Sequence, residues 1–272
     1  MKKILCPTDF SDTAQNAIAY AAKFTKASDS MLTLLNVQSA KSPALAAEKE
    51  LVMNVVSERL EELSREVQQF FKISCETDVI QSGSLLSDAI AERASHYDLI
   101  VMGTHGVENL VEFFTGSNTY HAIRKCNIPV LLIPPDRTFS QITSIVYAYD
   151  YLGEQKLPLK QLLPWIKALQ CELTVLQVNE EAVSEDVLEE MKDLQFIISE
   201  QAKSEGIDIN FDSIRSADIA PSIHSYIHRN ENDVLALCTV NRNFISQMFH
   251  KSVIKVISEI ANYPVFVFHE EA

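Results

Sequence analysis

The feature that most constrains this chain is that it repeats itself. Ile4–Asp9 is matched by Ile145–Asp150, and Leu32–Val37 by Leu173–Val178, both at an offset of 141 residues. Asp98–Met102 is matched by Asp233–Leu237, and Ile128–Leu132 by Tyr263–Val267, both at an offset of 135. Two constant offsets separated by one small deletion describe a tandem duplication. The chain is therefore expected to fold as two copies of one architecture, residues 1–137 and 138–272. The junction falls at Pro134-Pro135-Asp136-Arg137-Thr138, whose composition reads as a linker.

Within a copy, strand and helix patterns alternate. Ile4–Cys6 reads as a short strand, and Ser11 stands where it can cap a helix with Ala14, Ala17, Ile18, Ala21 and Ala22 on its apolar side. Met31–Val37 is the next strand. A long helix from about Ala46 carries Val52, Val55, Val56, Leu60, Leu63, Val67 and Phe70 at helical spacing. Its Glu58, Arg59, Glu61, Glu62, Arg65 and Glu66 read as a solvated face. Ile73–Ile80 is a third strand, Leu85–Ala94 a helix and Leu99–Met102 a fourth strand. A helix from Ser117 and a strand over Val130–Ile133 complete the unit. Such alternation predicts a parallel sheet with helices on both faces. In the second copy, Trp165 with Leu162, Leu163, Ile166 and Leu169 reads as a core-facing helix stripe.

Charge and cysteine usage narrow the function classes. With 47% hydrophobic and 22% charged residues, the chain has the composition of a soluble globular protein. A net charge of −14 argues against nucleic-acid binding, which draws its affinity from clustered Lys and Arg. The five cysteines (Cys6, Cys75, Cys126, Cys171 and Cys238) are scattered and form no CxxC pair, as expected of buried, reduced thiols rather than disulfides or a zinc site. The opening Met1-Lys2-Lys3-Ile4-Leu5-Cys6-Pro7 does not continue as a signal peptide, and no run approaches the ~18 apolar residues of a membrane helix. A cytoplasmic location and no membrane partner are expected.

One stretch stands out chemically. Leu99-Ile100-Val101-Met102 is an uninterrupted apolar run, the pattern of a strand buried on both faces. Gly103, Gly106 and Gly116 follow it, three of only six glycines in the chain. Gly116-Ser117 precedes an amphipathic segment with Tyr120, Ala122 and Ile123, and so opens a helix. Two readings fit: a tight turn with a serine helix cap, or an anion site in which bare backbone and a helix N-terminus face a phosphate. The spacing favours the second.

That spacing, G-x2-G-x9-G-S, resembles the ATP-binding motif of the universal stress protein family. Ile4-Leu5-Cys6-Pro7-Thr8-Asp9-Phe10-Ser11 is similar to the family's first strand and its adenine-contacting aspartate. Cys126-Asn127-Ile128-Pro129-Val130-Leu131-Leu132-Ile133-Pro134 is similar to its closing strand. The resemblance covers both copies and implies two tandem doubly wound α/β domains. Each would have five mostly parallel strands in the order 3-2-1-4-5. It further implies ATP, with or without Mg2+, held in the first copy. Asp9 would hydrogen-bond the adenosine, Pro7 and Thr8 would line that edge, and Val37 would offer backbone contacts to adenine. Met102 ends the strand, and Gly103 opens the turn that leads into the phosphate loop. There His105 would bind phosphate rather than transfer protons, Gly106 and Gly116 would admit the phosphates, Ser117 would cap the helix and ligate phosphate, and Asn118 would donate through its backbone N–H.

The copies are not chemically equal. Cys238, Asn241 and Lys251 stand where the first copy has Gly103, Gly106 and Gly116, and only Ser252 matches Ser117. Residues 1–137 carry a net charge of −4 and residues 138–272 carry −10. One ATP per chain is therefore expected, with Asp150 in a turn role. Catalysis finds little support, because no G-x4-G-K-[ST] loop supplies a phosphate lysine and no base can be assigned. His121, His224, His228 and His250 read as unconnected surface or core histidines, with no metal site. The function expected is a nucleotide-responsive regulatory module of stress response. A slow ATPase and a nucleotide-free interaction scaffold are the alternatives. The apolar closing strands Val130–Ile133 and Val265–Phe268 suggest that the copies pair as a pseudo-dimer, or that chains form a homodimer.

Overall fold

The structure is a computed structural model that describes residues 1–40, 46–84, 86–104, 125–135, 137–149, 157–179, 184–231, 233–239 and 262–269. The chain divides into two compact units, with the division between Phe139 and Ser140. The first holds β1 (Lys3–Pro7), α1 (Asp12–Ala27), β2 (Met31–Ser39), α2 (Ala46–Phe71), β3 (Cys75–Ser82), α3 (Leu86–Ala94), β4 (Leu99–Gly103) and β5 (Val130–Ile133). Its strands run in the order β3-β2-β1-β4-β5, all parallel, with Ile4 opposite both Leu32 and Leu99. Leu99, Ile100, Val101, Val130, Leu131 and Ile133 are fully buried, which is why these strands read as unbroken apolar runs.

The second unit holds β6 (Ser144–Ala148), α4 (Leu159–Leu169), β7 (Glu172–Asn179), α5 (Glu185–Ser204), β8 (Ile209–Arg215), α6 (Ile219–Arg229), β9 (Val234–Thr239) and β10 (Val265–His269). Its parallel order, β10-β9-β6-β7-β8, is that of the first unit. The repeat extends to single hydrogen bonds. Thr8 N donates to Leu35 O at 2.8 Å, and Tyr149 N donates to Leu176 O at 2.9 Å, each pair 141 residues from its counterpart. Asp98 Oδ2 accepts from Lys3 N at 2.7 Å. Its counterpart Asp233 Oδ2 accepts from Thr143 N at 2.7 Å and from Ser144 N at 3.1 Å. These carboxylates pin the start of the fourth strand of each unit to the first. Neither was read as a structural device in the sequence.

The helices follow their apolar spacing with one exception. Ser11 caps α1, its side chain accepting from Ala14 N, and Ala14, Ala17, Ile18, Ala21 and Ala22 are buried as expected. Leu162, Leu163, Trp165, Ile166 and Leu169 are buried along α4. Along α2, however, Leu60 and Val67 are buried while Val52, Val55 and Phe70 are exposed. A helix of 26 residues is about 39 Å long, against about 26 Å for the eight-residue β3. Its ends overhang the sheet, so periodicity marks an apolar face that the sheet covers only in the middle.

The two units differ at the first strand-to-helix connection. Four residues separate β1 from α1, and ten separate β6 from α4. Leu157 and Pro158, which match Asn16 and Ala17 inside α1, precede α4 and are not helical. Pro158, at the N-terminal cap of α4, makes no side-chain capping hydrogen bond.

Candidate functional site

In an open parallel sheet, ligands bind beyond the carboxyl ends of the strands, at the point where the strand order reverses. In the first unit that point lies between β1 and β4. Pro7 ends β1, and Thr8 and Asp9 follow it. Met102 and Gly103 end β4. Val37, half-buried, stands towards the carboxyl end of β2. The structure thus brings together the six sequence-predicted residues that it describes. His105, Gly106, Gly116, Ser117 and Asn118 lie outside the described residues, as do Asp150, Asn241, Lys251 and Ser252.

The exit of β1 is held by buried polar groups. Asn36 Nδ2 donates to Thr8 O at 2.8 Å, and Gln38 Nε2 donates to Asn36 Oδ1 at 2.6 Å. Thr8 Oγ1 accepts from Phe10 N, and Asp9 Oδ1 accepts from Ser11 N, both at 3.0 Å. Asp9 therefore makes the local turn that a residue before a helix often makes, and its side chain is exposed to solvent. An exposed carboxylate beside half-buried Pro7 and Val37 suits a nucleoside, with hydroxyl or amino donors for the acid and apolar contact for the base.

Phe10 is a residue that sequence reasoning missed. Its φ of 66° is in the left-handed region, rare for a bulky side chain. The Arg59 guanidinium of α2 lies 4.1 Å from the Phe10 ring centroid. Arg59 was read as part of a solvated face. It is exposed, but it also stacks on the aromatic ring that follows Asp9. Nothing local in the sequence links residues 10 and 59. Asn36, a lone polar residue after Leu34-Leu35, carried a signal of its own.

Gly103 has a structural reason to be glycine. A Cβ there would stand 2.8 Å from Thr13 O and 2.9 Å from Thr13 Cγ2, so the first turn of α1 rests directly on the end of β4. In the second unit the buried Cys238 replaces Gly103, and Tyr147 and Tyr149 replace Cys6 and Thr8, with their rings 6.1 Å apart. The amide pair survives with its members exchanged: Gln177 Nε2 donates to Asn179 Oδ1.

Two histidines correct the sequence reading. His224 and His228 are not unconnected: they lie one turn apart on α6, with ring centroids 4.2 Å apart, and Tyr263 OH is 3.4 Å from His224 Nδ1. Burial, and then the neighbouring His228, hold the His224 pKa below its usual value. Among the described residues no group of three or more His, Cys, Asp or Glu could hold a metal ion, and no helix is long and apolar enough to cross a membrane.

Two copies of an open parallel sheet, each with a reversal between its first and fourth strands, define a tandem doubly wound α/β protein. The model of the universal stress protein family matches residues 1–134. The universal stress protein MJ0577 of Methanocaldococcus jannaschii is 31% identical over 156 residues, covering 48% of this chain and 94% of that protein. MJ0531 of the same organism is 28% identical over 142 residues, covering 48% and 81%. A solved universal stress protein from Archaeoglobus fulgidus matches 99% of this chain and 98% of its own with a TM-score of 0.76. At 18% identity that is a likeness of fold. The chain belongs to the universal stress protein family.

Proposed function

We propose that this protein is a nucleotide-responsive regulatory module of the cytoplasm that binds one ATP per chain, with or without Mg2+, in its first unit, and carries no dedicated catalytic apparatus. The supporting observation is the convergence of Pro7, Thr8, Asp9, Val37, Met102 and Gly103 at the strand-order reversal, directly before the glycine-spaced segment. The second unit offers tyrosines, a cysteine and a late-starting helix at the equivalent edge. On this reading residues 138–272 form a degenerate copy. Its role is structural or serves a different partner.

Calorimetry on the intact chain tests the reading. One ATP per chain is expected, and a stoichiometry near two, or no binding, defeats it. Mass spectrometry of the purified protein for co-purified adenine nucleotide separates the module from a nucleotide-free scaffold. A site built largely of backbone donors binds ground and transition states about equally. Phosphate release is therefore expected to stay below roughly 1 s⁻¹, the low end of ordinary enzymes.

A further inference from the structure

The histidine pair on α6 has no part in the nucleotide reading. We propose that His224 and His228 form an open, surface site for one borderline transition-metal ion of the Ni2+, Cu2+ or Zn2+ class. In this site Tyr263 acts as the positioning residue that orients the first imidazole.

The placement follows from the helix. α6 turns Ala220, Ile223 and Ile227 into the core. Positions 224 and 228 then fall on the neighbouring stripe, one above the other, as residues four apart do. His224 is half-buried and His228 exposed, so their shared edge opens to water. The rings cross at 70° with centroids 4.2 Å apart. Tyr263 forms the inner wall, buried, with its ring centroid 5.8 Å from His224 and 6.0 Å from His228. Its hydroxyl lies 3.4 Å from His224 Nδ1. Accepting from Nδ1–H would fix the tautomer that leaves Nε2 as the metal ligand, the usual duty of a group behind a ligating histidine. The site also lies at the C-terminal end of the helix, where the backbone dipole favours a cation. Arg229 in the same turn opposes it, which limits the affinity.

The duplication supplies an internal control. The buried triplet Ala220, Ile223 and Ile227 matches Ser87, Ile90 and Ala94 of α3, all buried at the same spacing. In that register, an offset of 133, the first copy has Ala91 and Ser95 in place of the two histidines; in the 135-residue offset of the closing strands, Ile128 stands in place of Tyr263. The shared scaffold therefore demands none of the three rings. The ligand class follows from the donors. Among the described residues the donors are two imidazoles with no carboxylate completing a group of three, which suits imidazole-binding ions in the Irving–Williams order, whereas Mg2+ and Ca2+ require oxygen cages. Water would complete the coordination shell.

The test uses the full chain without a polyhistidine tag. NiCl2 is titrated by calorimetry in a non-chelating buffer, with MgCl2 as the hard-cation control. One Ni2+ per chain is expected. His224→Ala and His228→Ala should each weaken it at least tenfold, and Tyr263→Phe should weaken it about tenfold while leaving one site. Mg2+ should give no heat at this site. Should a variant fold poorly, Co2+ added to the unmodified protein keeps the test open, because it should broaden the imidazole resonances of His224 and His228 before those of the other histidines. Unchanged Ni2+ affinity in the double His224→Ala, His228→Ala variant would overturn the proposal, as would Co2+ broadening that begins elsewhere.

Discussion

Substituting Gly103→Ala should cost stability because of what a single methyl group would meet. The added Cβ would lie 2.8 Å from Thr13 O, 2.9 Å from Thr13 Cγ2 and 3.4 Å from Ala17 Cβ. Carbon atoms pack best at about 3.5–4.0 Å, so the first turn of α1 must retreat by roughly half an ångström or more. Overpacking of this kind costs about 1–3 kcal/mol. Alanine also lowers the entropy of the unfolded chain, which returns about 0.4–1 kcal/mol. The steric term wins, leaving a net loss of about 1–2 kcal/mol, or about 3–8 °C in Tm for a unit of this size. Because the displaced turn begins at Ser11, two residues after Asp9, ATP affinity should fall as well. Gly83→Ala is the reference, since nothing lies within 4 Å of a Cβ there, and it should change stability by less than about 0.5 kcal/mol. Adding Thr13→Ala to Gly103→Ala should recover part of the loss but not all of it, because the carbonyl oxygen remains. Chemical denaturation and thermal melts of the four proteins measure these terms. A Gly103→Ala protein as stable as Gly83→Ala would show that α1 is free to slide and that the packing argument is wrong.

Gly116→Val should remove measurable ATP binding from the whole chain, because a β-branched side chain crowds a phosphate and resists positive φ; Lys251→Ala should leave binding nearly unchanged, and calorimetry on both reads the outcome. Burial raises the Cys75 thiol to about 11 and the Cys126 and Cys171 thiols to about 12, from an ordinary value of 9.0. The unfolded chain then loses thiol protons first, so stability should be intact below pH 9 and fall as pH rises through 11 to 12; a denaturation midpoint flat across that window would contradict the burial. At pH 8 the native thiols should resist thiol reagents and react on unfolding. Asp233→Ala should destabilise more than Asp98→Ala, since Asp233 Oδ2 accepts from two backbone N–H groups and the Thr143 hydroxyl, whereas Asp98 Oδ2 accepts from Lys3 N; at about 1 kcal/mol per net hydrogen bond, equal losses would remove the clamp from the account.

The strands were legible because burial on both faces leaves unbroken apolar runs, and the duplication let each copy check the other. Strand order came from family resemblance, which the 3-2-1-4-5 order of each unit bears out. Spacing along α2 gave the apolar face but not its burial, since the extent of the supporting sheet is not a local property of the helix. At the site, Asp9 and Val37 could be placed at strand ends from the sequence. The stacking of Arg59 on Phe10 and the seating of Thr13 on Gly103 could not, because each joins segments that only the tertiary fold brings together. The His224 and His228 pair is different: its four-residue spacing was present in the sequence, and reading each histidine singly concealed it.

The clamp between Lys3 and Asp98 spans 95 residues of chain. The first strand of this unit lies between two neighbours, and one of them, β4, is made only after most of the unit has left the ribosome. Closing so long a loop carries an entropic cost that must be met before the contacts reward it. The crevice between β1 and β4 cannot exist until that strand arrives, so a ligand bound there acts only after β4 has joined the sheet. Any ligand of that crevice would therefore lengthen the life of the folded protein by mass action rather than help it to fold in the first place.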